Sequence, residues 1–147
     1  MIGFGFPVDV HRPVEDVFAY IADPSNLPEW QQTDAVEQLT PGPVATGTRL
    51  SEKRTLLGRR IESISEVTCF DPGRRFDVRV VSVYARVTDR WTFEPLAGGT
   101  RVQFSTEGEA RALFRPIERV IAVVMERRRR EHHARLAQAM ERRAAND

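Results

Sequence analysis

Apolar and polar positions alternate at the start of the chain. In IGFGFPVDVH (residues 2–11), Phe4, Phe6, Val8 and Val10 fall on one side and Gly3, Gly5, Asp9 and His11 on the other, the period-two pattern of a half-buried strand. Pro7 cannot donate to a ladder, which predicts an edge or strand-start position. The period then lengthens. Pro13 suits a first helical turn, and Val14, Val17, Phe18 and Ile21 recur at helical spacing. Asp23-Pro24 predicts the stop, because the residue before proline avoids the α region. SNLPEW resumes a second short helix, with Ser25 or Asn26 as its cap. Two short helices with a corner between them therefore lead to Trp30 at their exit.

From residue 33 to 110 the texture is strand-like runs separated by Gly/Pro turns: DAVEQLT, PGPVATG, TRLSEKRTLL, RRIESISEVTCF, RRFDVRVVSV, YARVTDRWTFEPL and TRVQFSTEGEA. DPG and GG between alternating runs are hairpin signals. The expected architecture is α+β: a curved antiparallel sheet of six or seven strands. Residues 114–143 then predict one long helix, with Pro116 in its first turn and an apolar stripe of Ile117, Val120, Ile121, Val124, Leu136 and Ala139. Arg128, Glu131, His132 and Arg135 interrupt that stripe on the same face. This helix is the one element long enough to cover the apolar face of the sheet.

Composition narrows the class. At 147 residues, 41% apolar and 29% charged, the chain is expected to form a single domain over residues 1–147. No apolar run approaches the roughly 20 residues of a bilayer span and no signal-peptide pattern opens the chain, so the expected location is cytoplasmic. Cys69 is the single cysteine, expected as a buried, reduced thiol, and no Cys/His spacing fits a metal. Neither a metal nor a cofactor is expected. Net charge is +1, distributed as −4 over residues 1–110 and +5 over 111–147.

Three local patterns go further. RPVEDVFAYIADPSNLPEW, FDPGRRF and WTFEPLAGGTRVQF, in this order of elements, resemble the polyketide cyclase/dehydrase and lipid-transport family of the START-like (SRPBCC) superfamily, whose fold is called the helix-grip. The resemblance covers essentially the whole chain. It implies a curved sheet gripping the C-terminal helix, with an elongated cavity for an apolar or amphipathic small molecule such as a lipid or polyketide. It also marks one departure. Relatives carry a leucine near His132 or His133, so this helix is more polar than the pattern.

Strand alternation nominates the cavity face. Ala85, Val87, Asp89, Trp91 and Phe93 share one face, with Arg86, Arg90 and Thr92 outside. Val102, Phe104 and Thr106 form the inner set of the next strand, and Phe76, Val78 and Val80 that of the preceding one, leaving Asp77 and Arg79 solvated. Ile61, Ser63, Ser65, Val67 and Cys69 share a face, although Ile64 argues against that register. Leu50, Glu52, Arg54 and Leu56 fall together. The expected apolar lining is Phe76, Val78, Trp91, Phe93, Phe104, Val120 and Val124, with Tyr84 nearby. Trp30 either stands at the cavity mouth or plugs the space between the short helices and the sheet.

Charge on an inner face costs several kcal/mol per ion unless it is paired. Glu52, Arg54, Asp89, Arg128 and His132 could therefore form one internal network that a ligand's polar head joins. Alternatively, Arg54 is hydrated at a strand end and Arg128 snorkels past the helix edge. Asp89, between inward residues, is the best single candidate for a polar anchor. Were the protein a cyclase or dehydratase, Asp89 and His132, with Tyr84 or Glu52, would be its acid/base candidates. No G-x-S-x-G, phosphate-loop or H-E-x-x-H motif is present, and His11 and His133 are expected on the surface. In MERRRREHHARL the arginines point in every direction, a basic collar suited first to solvent, then to an anionic membrane surface, and least to nucleic acid.

Overall fold

The computed structural model describes residues 1–56 and 58–146. Seven strands form one antiparallel sheet in the order β1-β7-β6-β5-β4-β3-β2: β1 Ile2–Val10, β2 Ala35–Gln38, β3 Arg49–Leu56, β4 Arg59–Asp71, β5 Arg75–Ser82, β6 Ala85–Leu96 and β7 Gly99–Ala110. β1 pairs with β7 alone, so Pro7 sits on an edge as its missing N–H requires. The DPG and AGG turns place Gly73 and Gly98 at φ 77° and 80°, a region that residues with a Cβ rarely adopt.

Between β1 and β2 lie α1 (Val14–Ala22), a 3-10 turn (Pro24–Asn26) and α2 (Leu27–Trp30). Pro13 precedes α1 as its cap, with its carbonyl accepting from the N–H of Asp16 and Val17 at 3.1 Å each. Asp23 ends α1 in an extended conformation. Its carboxylate then caps the 3-10 turn through the N–H of Ser25 at 2.9 Å, while Asn26 stands at the N-cap position of α2 without a side-chain capping bond. PGPVATG is a loop and not a strand, since its two prolines lack ladder donors and Gly42 and Gly47 stand at φ 91° and 96°, outside the strand region.

The C-terminal helix α3 runs Glu118–Asn146, preceded by a 3-10 segment at Ala112–Ile117. The helix expected over 114–143 thus begins four residues later, with Pro116 inside the 3-10 turn. α3 packs along β1 and against α2. Among the described residues no helix is long and apolar enough to cross a membrane.

Two expectations, an inward buried Cys69 and a solvated Asp77, fail for a physical reason. The register slips between Val67 and Cys69, and this bulge turns Phe70 inward, 5.3 Å from the Phe18 ring. Cys69 is displaced from the inner row and is half-buried. Asp77 is on the outer face as alternation requires, yet buried. Arg75 covers it at 2.6 Å and Arg90 at 3.3 Å, which replaces the expected solvation with two guanidiniums.

Candidate functional site

The inner faces of β5, β6 and β7 carry Phe76, Asp89, Trp91 and Phe104, all buried as alternation predicts. Trp30 is fully buried against them, its ring 6.4 Å from that of Trp91 and 5.3 Å from that of His133. Of the two readings of Trp30, the plug is the one realised. His133, expected on the surface, is 1% exposed, enclosed by Trp30, Phe104 at 4.5 Å and Phe6 at 5.2 Å. Trp91 Nε1–H donates to His133 Nε2 at 3.0 Å. An indole nitrogen only donates, so Nε2 is unprotonated and Nδ1–H donates to the Arg129 carbonyl at 2.6 Å. Burial holds this imidazole neutral, its pKa pushed down to about 4.

Asp89 is 2% exposed. One carboxylate oxygen accepts from Thr106 Oγ1 at 2.7 Å, directly across the β6–β7 pair, and the other meets Arg129 Nη1 at 2.9 Å. Arg129 supplies the partner expected of Arg128. The reason is the phase of the helix. His132, His133, Leu136, Ala139 and Met140 are the buried positions of α3's second half, and stepping back from Leu136 by seven residues rotates only about 20°, landing on Arg129. Phasing from Val120 and Val124 instead points to Arg128. That stripe was misleading, because Val120 is 60% exposed. The backward step from Leu136 was the available sequence signal for Arg129.

A second buried pair lies on β3. Glu52 accepts from Arg54 Nη2 at 2.9 Å and from the Ser65 hydroxyl, and Arg54 also donates to Gln31. Arg54 is therefore engaged inside and not hydrated at a strand end. Burial is the largest influence on Arg54 and works against its charge, while Glu52 and Asp89 support it. His132, also buried, has its pKa driven down to about 2, by burial first and then by Arg129 and Arg54. A neutral His132 cannot serve as a cationic acid near pH 7. The run Arg127–Arg130 is likewise no uniform collar: Arg129 turns inward and Arg130 lies over the Phe6 ring at 4.6 Å.

Three spaces meet at the Arg54 and Arg129 guanidiniums, which border all of them. An inner chamber of about 50 Å³ is lined by Glu52, Ser65, Phe76, Val78, Asp89 and Trp91. An outer groove of about 370 Å³ runs between the sheet and the first half of α3, walled by Ile61, Val80, Tyr84, Val87, Val124 and Met125. Val120 stands on its rim. A side recess of about 120 Å³ is bordered by Arg128 and His132. The residues nominated for one apolar cavity are thus divided. Phe76, Val78 and Trp91 face the chamber, Val120, Val124 and Tyr84 the groove, and Trp30, Phe93 and Phe104 belong to the packed core. The chamber has room for one or two water-sized groups. The groove falls within the size range of small-molecule sites. Among the described residues, no three His, Cys, Asp or Glu side chains are grouped to hold a metal ion.

Solved structures share this architecture. The aromatase/cyclase ZhuI from Streptomyces sp. R1128 superposes with a TM-score of 0.83 at 18% identity, over 97% of this chain and 94% of that one. A START superfamily protein from Mycobacterium smegmatis gives 0.82 at 13% identity, over 97% and 99%. The di-domain ARO/CYC BexL from the BE-7585A biosynthetic pathway gives 0.78 at 21% identity, over 96% of this chain and 47% of that protein. At these identities the likeness establishes the START-like helix-grip fold. No curated protein matches this chain in sequence. The sequence does match, over residues 1–141, the family described as polyketide cyclase / dehydrase and lipid transport, and to that family the chain belongs.

Proposed function

We propose that this protein binds an amphipathic small molecule, lipid-like or polyketide-like, with its apolar body in the groove under the first half of α3 and its polar end toward Arg54 and Arg129. One observation carries the reading: a groove walled mainly by aliphatic side chains ends at the half-buried guanidiniums of Arg54 and Arg129, each paired with a buried carboxylate behind it. Apolar walls with a few convergent polar groups are what a pocket needs to hold and orient such a ligand. Ile117 and Val120 of the groove are exposed, as are Leu113 and Val123 close by in the chain, among the exposed Arg115, Arg119 and Arg127. That fringe suits loading from an anionic lipid surface.

The test is occupancy. Native mass spectrometry of freshly purified protein is expected to show a copurified small molecule. A neutral environment-sensitive dye, 1-aminoanthracene, is expected to titrate to saturation at one site. Val124→Trp, which fills the groove from the helix side, should abolish dye binding without lowering the melting temperature. Unchanged dye binding in that variant would sink the reading.

A cyclase or dehydratase is the second reading, favoured by one feature. Glu52 and Asp89 are buried acids of the inner chamber, paired with the two guanidiniums that border both the chamber and the groove. In such a reaction a carboxylate takes a proton from carbon between two carbonyls, and guanidiniums stabilise the oxygen that becomes negative. Turnover of a polyketone that is lost in Glu52→Gln or Asp89→Asn, with dye affinity kept, would establish catalysis. Turnover kept in both variants would assign the acids to binding alone.

A further inference from the structure

The recess beside the groove has an unusual charge inventory. Arg54, Arg128 and Arg129 border it together with Ser63 and His132, and no carboxylate does. Arg54 is matched by Glu52 and Arg129 by Asp89. Arg128, half-buried, has no carboxylate within 4 Å among the described residues. The cluster therefore carries one positive charge in excess.

Two residues bordering the recess also each hold a buried polar atom without a partner. Arg54 Nε is buried without an acceptor, although its Nη2 is engaged twice. His132 is 5% exposed and its Nδ1 is likewise buried and unpartnered. A buried donor without an acceptor costs about 1–3 kcal/mol. A surplus guanidinium at a half-enclosed hollow bordered by three arginines and no carboxylate makes that hollow suited to a single negative charge. Arg54, Ser63, Met125 and Arg129 also wall the groove, so the recess and the groove are one continuous site.

We infer that the recess is a head-group site for a monoanion, and that the ligand is an amphipathic carboxylic acid whose hydrocarbon or aromatic body lies in the groove. This rests on the groove-binding reading and adds the charge of the ligand. A carboxylate has the right formal charge for the surplus, and its two oxygens match the fork of a guanidinium. The Ser63 hydroxyl adds a further donor. A dianionic phosphate would leave one negative charge uncompensated in a half-buried site. A neutral alcohol or amide would leave Arg128 facing no counter-charge.

Displacement of 1-aminoanthracene at pH 7.5 by dodecanoate and by dodecanamide, which differ in charge but not in chain length, tests this. Wild-type protein should release the dye at about tenfold lower dodecanoate than dodecanamide, the scale of one charge-assisted hydrogen bond. Arg128→Gln should bring the two within about threefold, and Arg128→Lys should keep part of the preference. Equal displacement by both compounds in the wild type overturns the head-group assignment and leaves the groove reading intact. So does a folded Arg128→Gln that keeps the full preference. A wild-type protein that binds neither the dye nor either dodecyl compound overturns both. The wild-type comparison is decisive even if a variant does not fold.

Discussion

The two halves of α3 share one helix and have opposite roles. From His132 onward, His133, Leu136, Ala139 and Met140 are buried against the sheet and α2. Before Arg129, the aliphatic residues are half-buried or exposed, with Val120 and Val123 60% and 63% open. The more hydrophobic half is thus the less buried one. Burial of apolar surface drives folding at about 25 cal/mol per Å², so a helix half that leaves this contribution unused is available to roof a space. Its apolar side chains serve the groove, and the polar second half anchors the helix.

The largest test of that contrast is truncation in each half. Leu136→Ala should cost about 4 kcal/mol in chemical denaturation, because a fully buried leucine leaves a cavity. Val123→Ala should change stability by no more than about 0.5 kcal/mol. Comparable losses at the two positions would mean that the first half is core after all.

Next in size is the junction. Arg129→Met removes the partner of buried Asp89 and should cost about 3 kcal/mol. Adding Asp89→Asn should recover more than half of that, since the uncompensated charge is then gone. A double variant no more stable than the single one would show that Arg129 acts by packing over Phe104, 5.9 Å away, and not by pairing.

Over the window from pH 6.5 to 5 the smallest effect is on pH dependence, and it belongs to the anchored half alone. His132 and His133 are held neutral when folded, with values near 2 and 4, against about 6.5 when unfolded. The unfolded chain therefore binds more protons below pH 6.5. Stability is full above that pH and falls as pH drops, by roughly 1.4 kcal/mol per unit for each histidine once protonation of the unfolded chain is complete. The decline for His133 ends near pH 4. Replacing His133 with glutamine keeps an acceptor for Trp91 and should remove about half of the slope between pH 6.5 and 5. An unchanged slope would place the titration elsewhere.

Much of the fold was readable because strands and turns carry local signals. Inward Asp89, Trp91 and Phe104 follow from a period of two that the β6–β7 pair preserves. Edge Pro7 and the stop at Asp23 follow from the chemistry of proline. Cys69 and Phe70 escaped that reading because a bulge shifts the register without leaving a mark in composition.

What the sequence by itself determined is the order of the helices and of the seven strands, the faces of β6 and β7, and the family to which they belong. The tertiary structure alone decided which face of α3 meets the sheet and how far the helix stands from it. Helical periodicity defines a stripe but not what the stripe packs against, and α3 offers two: aliphatic in its first half, mixed in its second. Contact with β1, Trp30 and Trp91 selects the second, turning Arg129 inward, burying His133 and lifting the first half away from the sheet. The groove exists because one rigid helix cannot press both stripes onto a curved sheet.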